Sequence, residues 1–333
     1  MTIRTGVVGA GIMGADHAEN LARNVGGSTL ACVADIDAER AKAVASELGA
    51  RAVTDPLELI EDDGIDAVVI ASHDTTHPEL VQACLAASKP VLCEKPLATT
   101  ADEARRLVEA ERAVVDQLGR SLISVGFMRR FDPGHVELRR SLAAGELGRP
   151  LLLHGISRNV SAAPGATNES AITNSAIHEL DSFPWLLDSP IEEVSWVPGI
   201  PTSSEAAAGL QDPAFMMIRL RSGVLATLEL FLNAGHGYST QCEVVGERGT
   251  GRLVEPAGAS YSLDRKNYVS FPADWRPRFA AAYRRQLQAW IRSLQEGTLS
   301  PMASAEDGLR ASLAAEAMVR SMHNGGAFTQ VAA

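Results

Sequence analysis

The sequence has no excess of basic residues. Its 333 residues include 30 Lys and Arg against 41 Asp and Glu, which gives a formal net charge of −11 and a pI near 5.3. Proteins that bind nucleic-acid backbones neutralise phosphates with clustered Lys and Arg. The charge balance therefore argues against a nucleic-acid partner.

Long apolar runs and paired cysteines are also missing. No apolar run approaches the roughly 20 residues that span a bilayer, and the first residues lack the basic-then-apolar layout of a signal peptide. The four cysteines show no C-x-x-C spacing, and Cys32 and Cys93 stand in strand-like runs typical of buried, reduced thiols. We therefore predict a cytoplasmic protein with no membrane partner, disulfide or metal site.

What the first 125 residues do contain is an alternation of strand-like and helix-like segments. The apolar runs TGVVGAG, STLACVAD, IDAVVIAS and KPVLCE are separated by helical stretches. Strands that are apolar nearly throughout are typical of parallel strands buried on both faces. Their alternation with helices predicts a doubly wound α/β domain, and the chain length predicts a second domain after it.

A G-x-G-x-x-G motif ends the first strand-like run and opens a helical stretch. In that context the motif predicts a dinucleotide site. Gly9 permits the tight turn, Gly11 lets the backbone approach a pyrophosphate, and Gly14 lets the helix pack on the strand. Ile12 and Met13 stand at the start of the helix, whose N-terminal N–H groups attract phosphates.

The second strand-like run ends at Asp35, 21 residues after Gly14. A carboxylate at this place binds the adenosine ribose diol and repels a 2′-phosphate, so we predict NAD as the cofactor, with Asp35 and Ile36 in its site. Asp37 is a rival for this role, and its alternative is to cap the next helix. Arg40 could bind a 2′-phosphate, but it lies one turn into that helix.

Polar residues follow the fourth and fifth strand-like runs. Ligands of open α/β sheets lie beyond the carboxyl ends of the strands. The predicted cofactor residues at these ends are Ser72, His73, His77, Glu94 and Lys95. His77 could line the cofactor site or could equally be a local structural residue. Glu94 could instead hold the turn by an ion pair or a hydrogen bond. Lys95 is expected near the nicotinamide, where its ammonium can stabilise an alkoxide.

The segments GAGIMG, VADID, CEKPLATT and GFMRRFDPG together resemble the Gfo/Idh/MocA oxidoreductase family, and most of all its inositol 2-dehydrogenase branch. The resemblance extends over nearly the whole chain. It implies an NAD-binding Rossmann domain over residues 1–123 and an α+β domain over residues 124–333. The second domain is expected to carry an open, mostly antiparallel sheet whose face joins a homotetramer. A helix over about 304–323 is expected to pack back toward the first domain.

The same resemblance implies the substrate site. By motif, the family's substrate contacts fall on Lys95, Met128, Arg129, Asn159, His178 and Tyr238. Ser157 stands where inositol dehydrogenases tend to carry His, and we include it in the site. Asp181, three residues after His178, is predicted either to bind substrate or to serve packing.

The Asp-x-x-x-His dyad of the inositol enzymes places its histidine on His178. The residue four positions earlier is Asn174 rather than Asp. Residues four apart share a face of an α-helix, so we predict that Asn174 accepts a hydrogen bond from His178 and orients its ring. As a neutral group, it cannot stabilise an imidazolium as a carboxylate does.

We predict an NAD-dependent oxidation of a secondary hydroxyl of an inositol-like cyclitol to the ketone. His178 acts as the general base and Lys95 stabilises the alkoxide. One alternative is a dehydrogenase of an aminocyclitol or a sugar. Another is a redox-neutral lyase or hydrolase that keeps NAD bound. The last is a non-catalytic regulator that senses dinucleotides.

Overall fold

The computed structural model describes residues 1–199, 206–254 and 260–332, which group into two compact units. The first unit comprises Met1–Met128 and Ala282–Ser312, and the second comprises Arg129–Ala281 and Leu313–Ala333. The two domains predicted from the sequence comprise residues 1–123 and 124–333. In the structure, residues 282–312 group with the first unit.

The first unit is built on a six-stranded sheet in which all pairs are parallel. Its strands are β1 (Ile3–Val8), β2 (Ser28–Ala34), β3 (Arg51–Val53), β4 (Ala67–Ile70), β5 (Val91–Cys93) and β6 (Ile123–Val125). They lie in the order β3-β2-β1-β4-β5-β6, which is the order of a dinucleotide-binding sheet. Every side chain of β4, β5 and β6 is buried. The predicted doubly wound parallel sheet is confirmed.

Helices connect these strands, and some of them begin or end at capping residues. They are α1 (Ile12–Glu19), α2 (Ala38–Leu48), α3 (Pro56–Glu61), α4 (His77–Ala86) and α5 (Ala101–Leu118). The Thr100 side chain caps α5 by accepting the Glu103 N–H. Gly49 and Gly119 end α2 and α5 in left-handed conformations, with φ of 71° and 68°.

The second unit contains a seven-stranded sheet in the order β12-β11-β7-β10-β9-β8-β15, and β13 and β14 form a separate ribbon. The strands are β7 (Pro150–Arg158), β8 (Ile191–Val197), β9 (Ala214–Leu220), β10 (Leu225–Phe231), β11 (Ser239–Gly246), β12 (Thr250–Arg252), β13 (Ser260–Leu263), β14 (Lys266–Val269) and β15 (Thr329–Gln330). Among the strand pairings that the structure describes in this sheet, only that of β7 with β10 is parallel. The predicted open, mostly antiparallel sheet is confirmed.

The seven-stranded sheet buries one face. Along β9, Met216 and Ile218 are buried, whereas Phe215 before them and Arg219 after them are exposed, as expected for a half-buried strand. The buried face packs in one cluster with Phe183 and other apolar side chains. The other face is open to solvent in the described residues of this chain.

The helices of the second unit include an irregular segment. The helices that lie wholly in the second unit are α6 (Pro133–Ala143), α7 (Asn168–Ser170) and α8 (Ile177–Leu187). Two further helices, α9 (Trp275–Glu296) and α10 (Ala305–His323), have residues in both units. Residues Ala171–Ala176 form a π-helical segment directly before α8. In the parts of the chain that the structure describes, no helix is long and apolar enough to cross a membrane.

Candidate active site

The glycine loop joins β1 to α1. Gly9 has a φ of +93°, which L side chains rarely adopt, and a Cβ on Gly14 would lie 1.8 Å from the Gly9 carbonyl oxygen. A Cβ on Gly11 would meet no atom within 4 Å, so the backbone there is open to a pyrophosphate. Ile12 and Met13 begin α1, with Ile12 exposed. These environments fit the roles predicted for a dinucleotide site.

Asp35 follows β2 and lies against the glycine loop. Its Oδ2 accepts the Ala10 N–H at 2.7 Å, and its Oδ1 accepts the Asp37 N–H at 2.9 Å. Asp37 caps α2 by accepting the N–H groups of the next residues, which supports its capping alternative. The Arg40 guanidinium is 3.6 Å from Asp35, and Ile36 is exposed. The Asp35 carboxylate is therefore held at the edge where an adenosine ribose would bind.

The residues after β4 form a compact turn. The Ser72 hydroxyl lies 2.7 Å from the Thr76 hydroxyl. His73 is exposed, and its Nδ1 lies 2.9 Å from an Asp74 carboxylate oxygen. Ser72 is half-buried. Both predicted cofactor residues in this turn therefore have surface that a ligand could contact.

His77 is buried and ties two strand ends together. Its Nδ1 is 2.7 Å from the Pro96 carbonyl oxygen, after β5, and its Nε2 is 3.2 Å from the Ser72 carbonyl oxygen, after β4. Burial lowers the pKa of the His77 imidazole, against the effect of these two carbonyls. With 1% of its surface exposed, the ring supports the local-structure alternative.

Glu94 and Lys95 follow β5. The buried Glu94 carboxylate is 2.7 Å from Nε2 of His17 on α1, and its other oxygen accepts the Lys95 N–H at 3.3 Å. Burial alone would raise the pKa of the Glu94 carboxyl, but the His17 hydrogen bond and the nearby positive charge lower it below its usual value. Lys95 itself is half-buried. The turn that carries it is thus anchored by a carboxylate held ionised.

In the second unit, Asn174 and His178 do not lie on one regular α-helix. Asn174 is in the π-helical segment and is exposed, whereas His178 is half-buried in the first turn of α8. A π turn closes its hydrogen bonds over five residues rather than four. The regular α-helical spacing predicted for residues 174 and 178 is therefore not what the structure has. The orienting role of Asn174 stays a prediction.

A buried ion pair lies beside His178. An Arg129 Nη hydrogen-bonds an oxygen of Glu179, and both side chains are almost fully buried. Tyr238, at the start of β11, hydrogen-bonds Arg129, and its hydroxyl is 3.1 Å from the Thr240 hydroxyl. Burial alone would lower the pKa of the Arg129 guanidinium, but Glu179 and Tyr238 together raise it. Two predicted substrate residues, Arg129 and Tyr238, are thus brought together.

Asp181 belongs to a second ion pair. Arg130 donates from Nε and Nη2 to its two oxygens at 3.0 and 2.5 Å. This bidentate geometry is strong and directional. The contact supports the packing alternative for Asp181, because its carboxylate already has a fixed partner.

The remaining predicted substrate residues lie on or beside β7, except for one. Ser157 is buried opposite Thr240 of β11. Asn159 follows the strand, and its backbone N–H donates to the Phe231 carbonyl at 2.8 Å. Met128 is buried in the first unit. Ser157 and Asn159 therefore lie at the same end of the sheet as Tyr238. Met128 is the last residue of the first segment of the first unit.

His17 and Glu179 have prominent contacts but were not predicted from the sequence. His17 could have been found, because it lies in the buried stripe of α1 with Gly14 and Ala18, where a polar side chain needs a partner. Glu179 gives no such signal, since its partner is 50 residues away. Among the described residues, no group of His, Cys, Asp and Glu side chains could hold a metal ion.

The chain is similar to known proteins over its full length. The NAD-binding Rossmann-fold domain of the Gfo/Idh/MocA oxidoreductase family matches residues 3–119, and the C-terminal α/β domain of that family matches residues 139–330. Inositol 2-dehydrogenase 2 of Paenarthrobacter aurescens is 55% identical over 331 residues, 99% of each chain. Inositol 2-dehydrogenase 1 of Saccharopolyspora erythraea is 45% identical over 98% of this chain and 95% of that one. The structure of myo-inositol dehydrogenase from Lactobacillus casei with NAD(H) and myo-inositol has a TM-score of 0.94 and 30% identity, covering 100% of this chain and 98% of that one.

Proposed function

Since the chain belongs to the Gfo/Idh/MocA family of NAD-binding oxidoreductases, we propose that it oxidises a secondary hydroxyl of an inositol to the ketone. The membership confirms the family, the enzyme class and the cofactor predicted from the sequence. The proposal of an inositol as the substrate rests on the full-length similarity to inositol 2-dehydrogenases. The open backbone at Gly11 and the oriented Asp35 carboxylate fit NAD.

The proposed mechanism assigns the proton to one residue and the developing charge to another. NAD, when bound, accepts the hydride from the carbinol carbon. His178 takes the hydroxyl proton as general base, which its half-buried position in the first turn of α8 allows. Lys95 donates a hydrogen bond to the same oxygen and stabilises the alkoxide. The anchored Glu94 turn supports this role, because it fixes the backbone of Lys95.

A substrate panel tests the proposed reaction. Myo-inositol, scyllo-inositol, an aminocyclitol and glucose are each supplied with NAD or NADP, and the absorbance of the reduced cofactor is followed. We expect reduced cofactor to accumulate with an inositol and NAD. Turnover of a substrate without accumulation would instead favour the redox-neutral alternative. No turnover with any polyol would favour the non-catalytic regulator. Accumulation of reduced cofactor only with glucose or the aminocyclitol would show that an inositol is not the substrate.

Two substitutions test the assigned residues. Lys95→Ala should lower kcat by at least about 10³-fold while NADH still binds, because the lost interaction forms only in the transition state. Lys89→Ala is the matched control, since Lys89 precedes the same strand and donates to the Asp62 carbonyl. His178→Ala should lower kcat by about 10²- to 10⁴-fold. Its control is His323→Ala, at the exposed end of α10. Substantial turnover in Lys95→Ala would remove Lys95 from the mechanism.

We also propose that the chain forms a homotetramer through the open sheet face of the second unit. Leu152, Phe215 and Phe231 lie on that face in neighbouring strands, with Leu152 and Phe215 exposed. Apolar side chains on such a face are typical of interaction sites. Light scattering during size exclusion should give four copies for the wild type and fewer for Phe215→Asp. Leu118→Asp, at an exposed site of α5, should leave the mass unchanged.

A further inference from the structure

A buried histidine lies behind the residue that we assign to alkoxide stabilisation. His17, in the last turn of α1, has no exposed surface, and its Nε2 is 2.7 Å from Oε1 of Glu94. The other Glu94 oxygen, Oε2, accepts the backbone N–H of Lys95 at 3.3 Å. A continuous set of contacts therefore runs from α1 through the carboxylate to the lysine backbone, all within the first unit.

The direction of the first hydrogen bond follows from its chemistry. An ionised carboxylate can only accept hydrogen bonds, so Nε2 of His17 carries the hydrogen and donates it to Glu94. The second ring nitrogen, Nδ1, is buried and has no hydrogen-bond partner among the described residues. Glu94 is thus the polar partner that accounts for a histidine in the buried stripe of α1.

The surroundings leave the carboxylate little freedom to move. A Cβ on Gly126, after β6, would lie 3.0 Å from the Glu94 carboxyl carbon. The His17 ring meets the ring of Tyr283 edge-on, with centroids 5.8 Å apart. The pair is enclosed by α1, the end of β6 and Tyr283 on α9. An enclosed pair of this kind transmits a fixed position better than an exposed one, because solvent cannot replace its hydrogen bonds.

We propose that His17 is a positioning residue for hydride transfer, which acts by holding the Glu94 carboxylate against the backbone of Lys95. This inference rests on the proposed role of Lys95. Without the donor on His17, the carboxylate can turn away from the Lys95 N–H, and the lysine loses its defined place. Misplacement of a catalytic group by about 1 Å can lower the rate about 10²-fold.

The test compares two substitutions of His17 in the full-length enzyme. His17→Leu removes the donor, and we expect kcat to fall about 10- to 100-fold. The Kd for NADH should stay within about threefold, because no predicted cofactor contact is removed. The isotope effect on kcat with substrate deuterated at the reacting carbon should rise, since hydride transfer becomes slower. His17→Gln keeps an N–H near the Nε2 position and should recover most of the lost kcat.

Controls separate positioning from simple loss of stability. Thr5→Val removes a buried hydrogen bond to the Thr29 carbonyl elsewhere in the first unit, and it should lower Tm without changing kcat or the isotope effect. An unchanged kcat in His17→Leu would overturn the proposal. So would equal losses in His17→Leu and His17→Gln, because a shared loss would indicate packing alone.

A double-mutant cycle covers the case in which His17→Leu folds poorly. Glu94→Gln is combined with His17→Ala, which also removes the donor, and the effects on kcat are compared with the single variants. A shared contact predicts clear non-additivity, whereas additive effects would contradict it. Lys95→Ala is measured in the same assay. If it retains turnover, the proposed function has failed; if it is inactive while the His17 variants match wild type, only this inference has failed.

Discussion

Within the described parts of the chain, two buried histidine–carboxylate pairs have the same nitrogen-to-oxygen distance, one in each unit. His17 meets Glu94 in the first unit and His135 meets Asp132 in the second, both at 2.7 Å. Glu94 uses its other oxygen to hold the backbone of Lys95. Asp132 instead caps α6 and accepts hydrogen bonds from Arg278, which lies 146 residues away. A buried histidine–carboxylate pair thus holds a turn with a proposed functional lysine in one unit. In the other unit, such a pair joins segments that are distant in the sequence.

This difference extends to the candidate site residues of each unit. In the first unit, the polar residues stand within short motifs, beside the strands that place them. In the second unit, buried arginines join distant parts of the chain, as in the pairs Arg129–Glu179 and Arg130–Asp181. We therefore expect substitutions of the His17–Glu94 pair to impair mainly turnover, and substitutions of the Arg129–Glu179 and Arg130–Asp181 pairs to impair mainly stability.

The largest stability effect should come from breaking the Arg129–Glu179 pair. Glu179→Ala leaves a buried guanidinium without its carboxylate, which typically costs about 3–5 kcal/mol. Urea unfolding should show this loss. Glu169→Ala is the matched control in the same unit, because Glu169 and its partner His323 are both largely exposed, and such pairs contribute less than about 1 kcal/mol. A small effect of Glu179→Ala would remove the distinction between the units.

Two glycines of the first unit should separate stability from cofactor binding. Gly14→Ala places a Cβ 1.8 Å from a backbone oxygen of Gly9. We expect this clash to lower the free energy of unfolding by up to about 3 kcal/mol and to abolish NADH binding. Gly11→Ala meets no atom within 4 Å. It should change the unfolding free energy by less than about 0.5 kcal/mol and still weaken NADH binding at least about tenfold. Urea unfolding measures the stability of each variant, and fluorescence titration measures its affinity for NADH. Equal destabilisation by the two variants would contradict the loop geometry.

The same contrast explains what could be predicted from the sequence. The parallel sheet, the NAD cofactor and the Glu94–Lys95 turn follow from patterns within a few residues of each other. The Arg129–Glu179 pair could not be predicted, because neither residue indicates a partner 50 positions away. The π-helical segment at Ala171–Ala176 could not be predicted either. Over six residues, the apolar spacing of a π turn does not differ enough from that of an α-helix.

An acid titration should detect the cohesion that Asp132 provides. Burial alone would raise the pKa of its carboxyl, but hydrogen bonds from His135 and Arg278 hold that pKa well below its usual range. The stabilisation is therefore present above the unfolded pKa of about 3.9 and is lost as the pH falls toward the folded pKa.

Asp132→Asn should be about 2 kcal/mol less stable at pH 7, and its stability should fall less steeply below about pH 4. Urea midpoints measured across pH check this difference in slope. Asp274→Asn is the control, since Asp274 lies near the surface and its partner Arg276 is exposed. Parallel pH curves for wild type and Asp132→Asn would assign the acid sensitivity to other groups.

The smallest effect should be at Asn174, where a single atom type distinguishes this chain from the dyad of the inositol enzymes. Asn174→Asp introduces a carboxylate one π turn before His178, and a carboxylate stabilises the imidazolium form that an amide does not. The acidic limb of the pH profile of kcat/KM should therefore move up by about one pH unit, a change worth about 1.4 kcal/mol. Asn324→Asp adds the same charge at an exposed site and should leave the limb in place. A limb that stays fixed in Asn174→Asp would show that residue 174 does not act on the general base, and the π segment would then separate the two side chains that the family motif pairs.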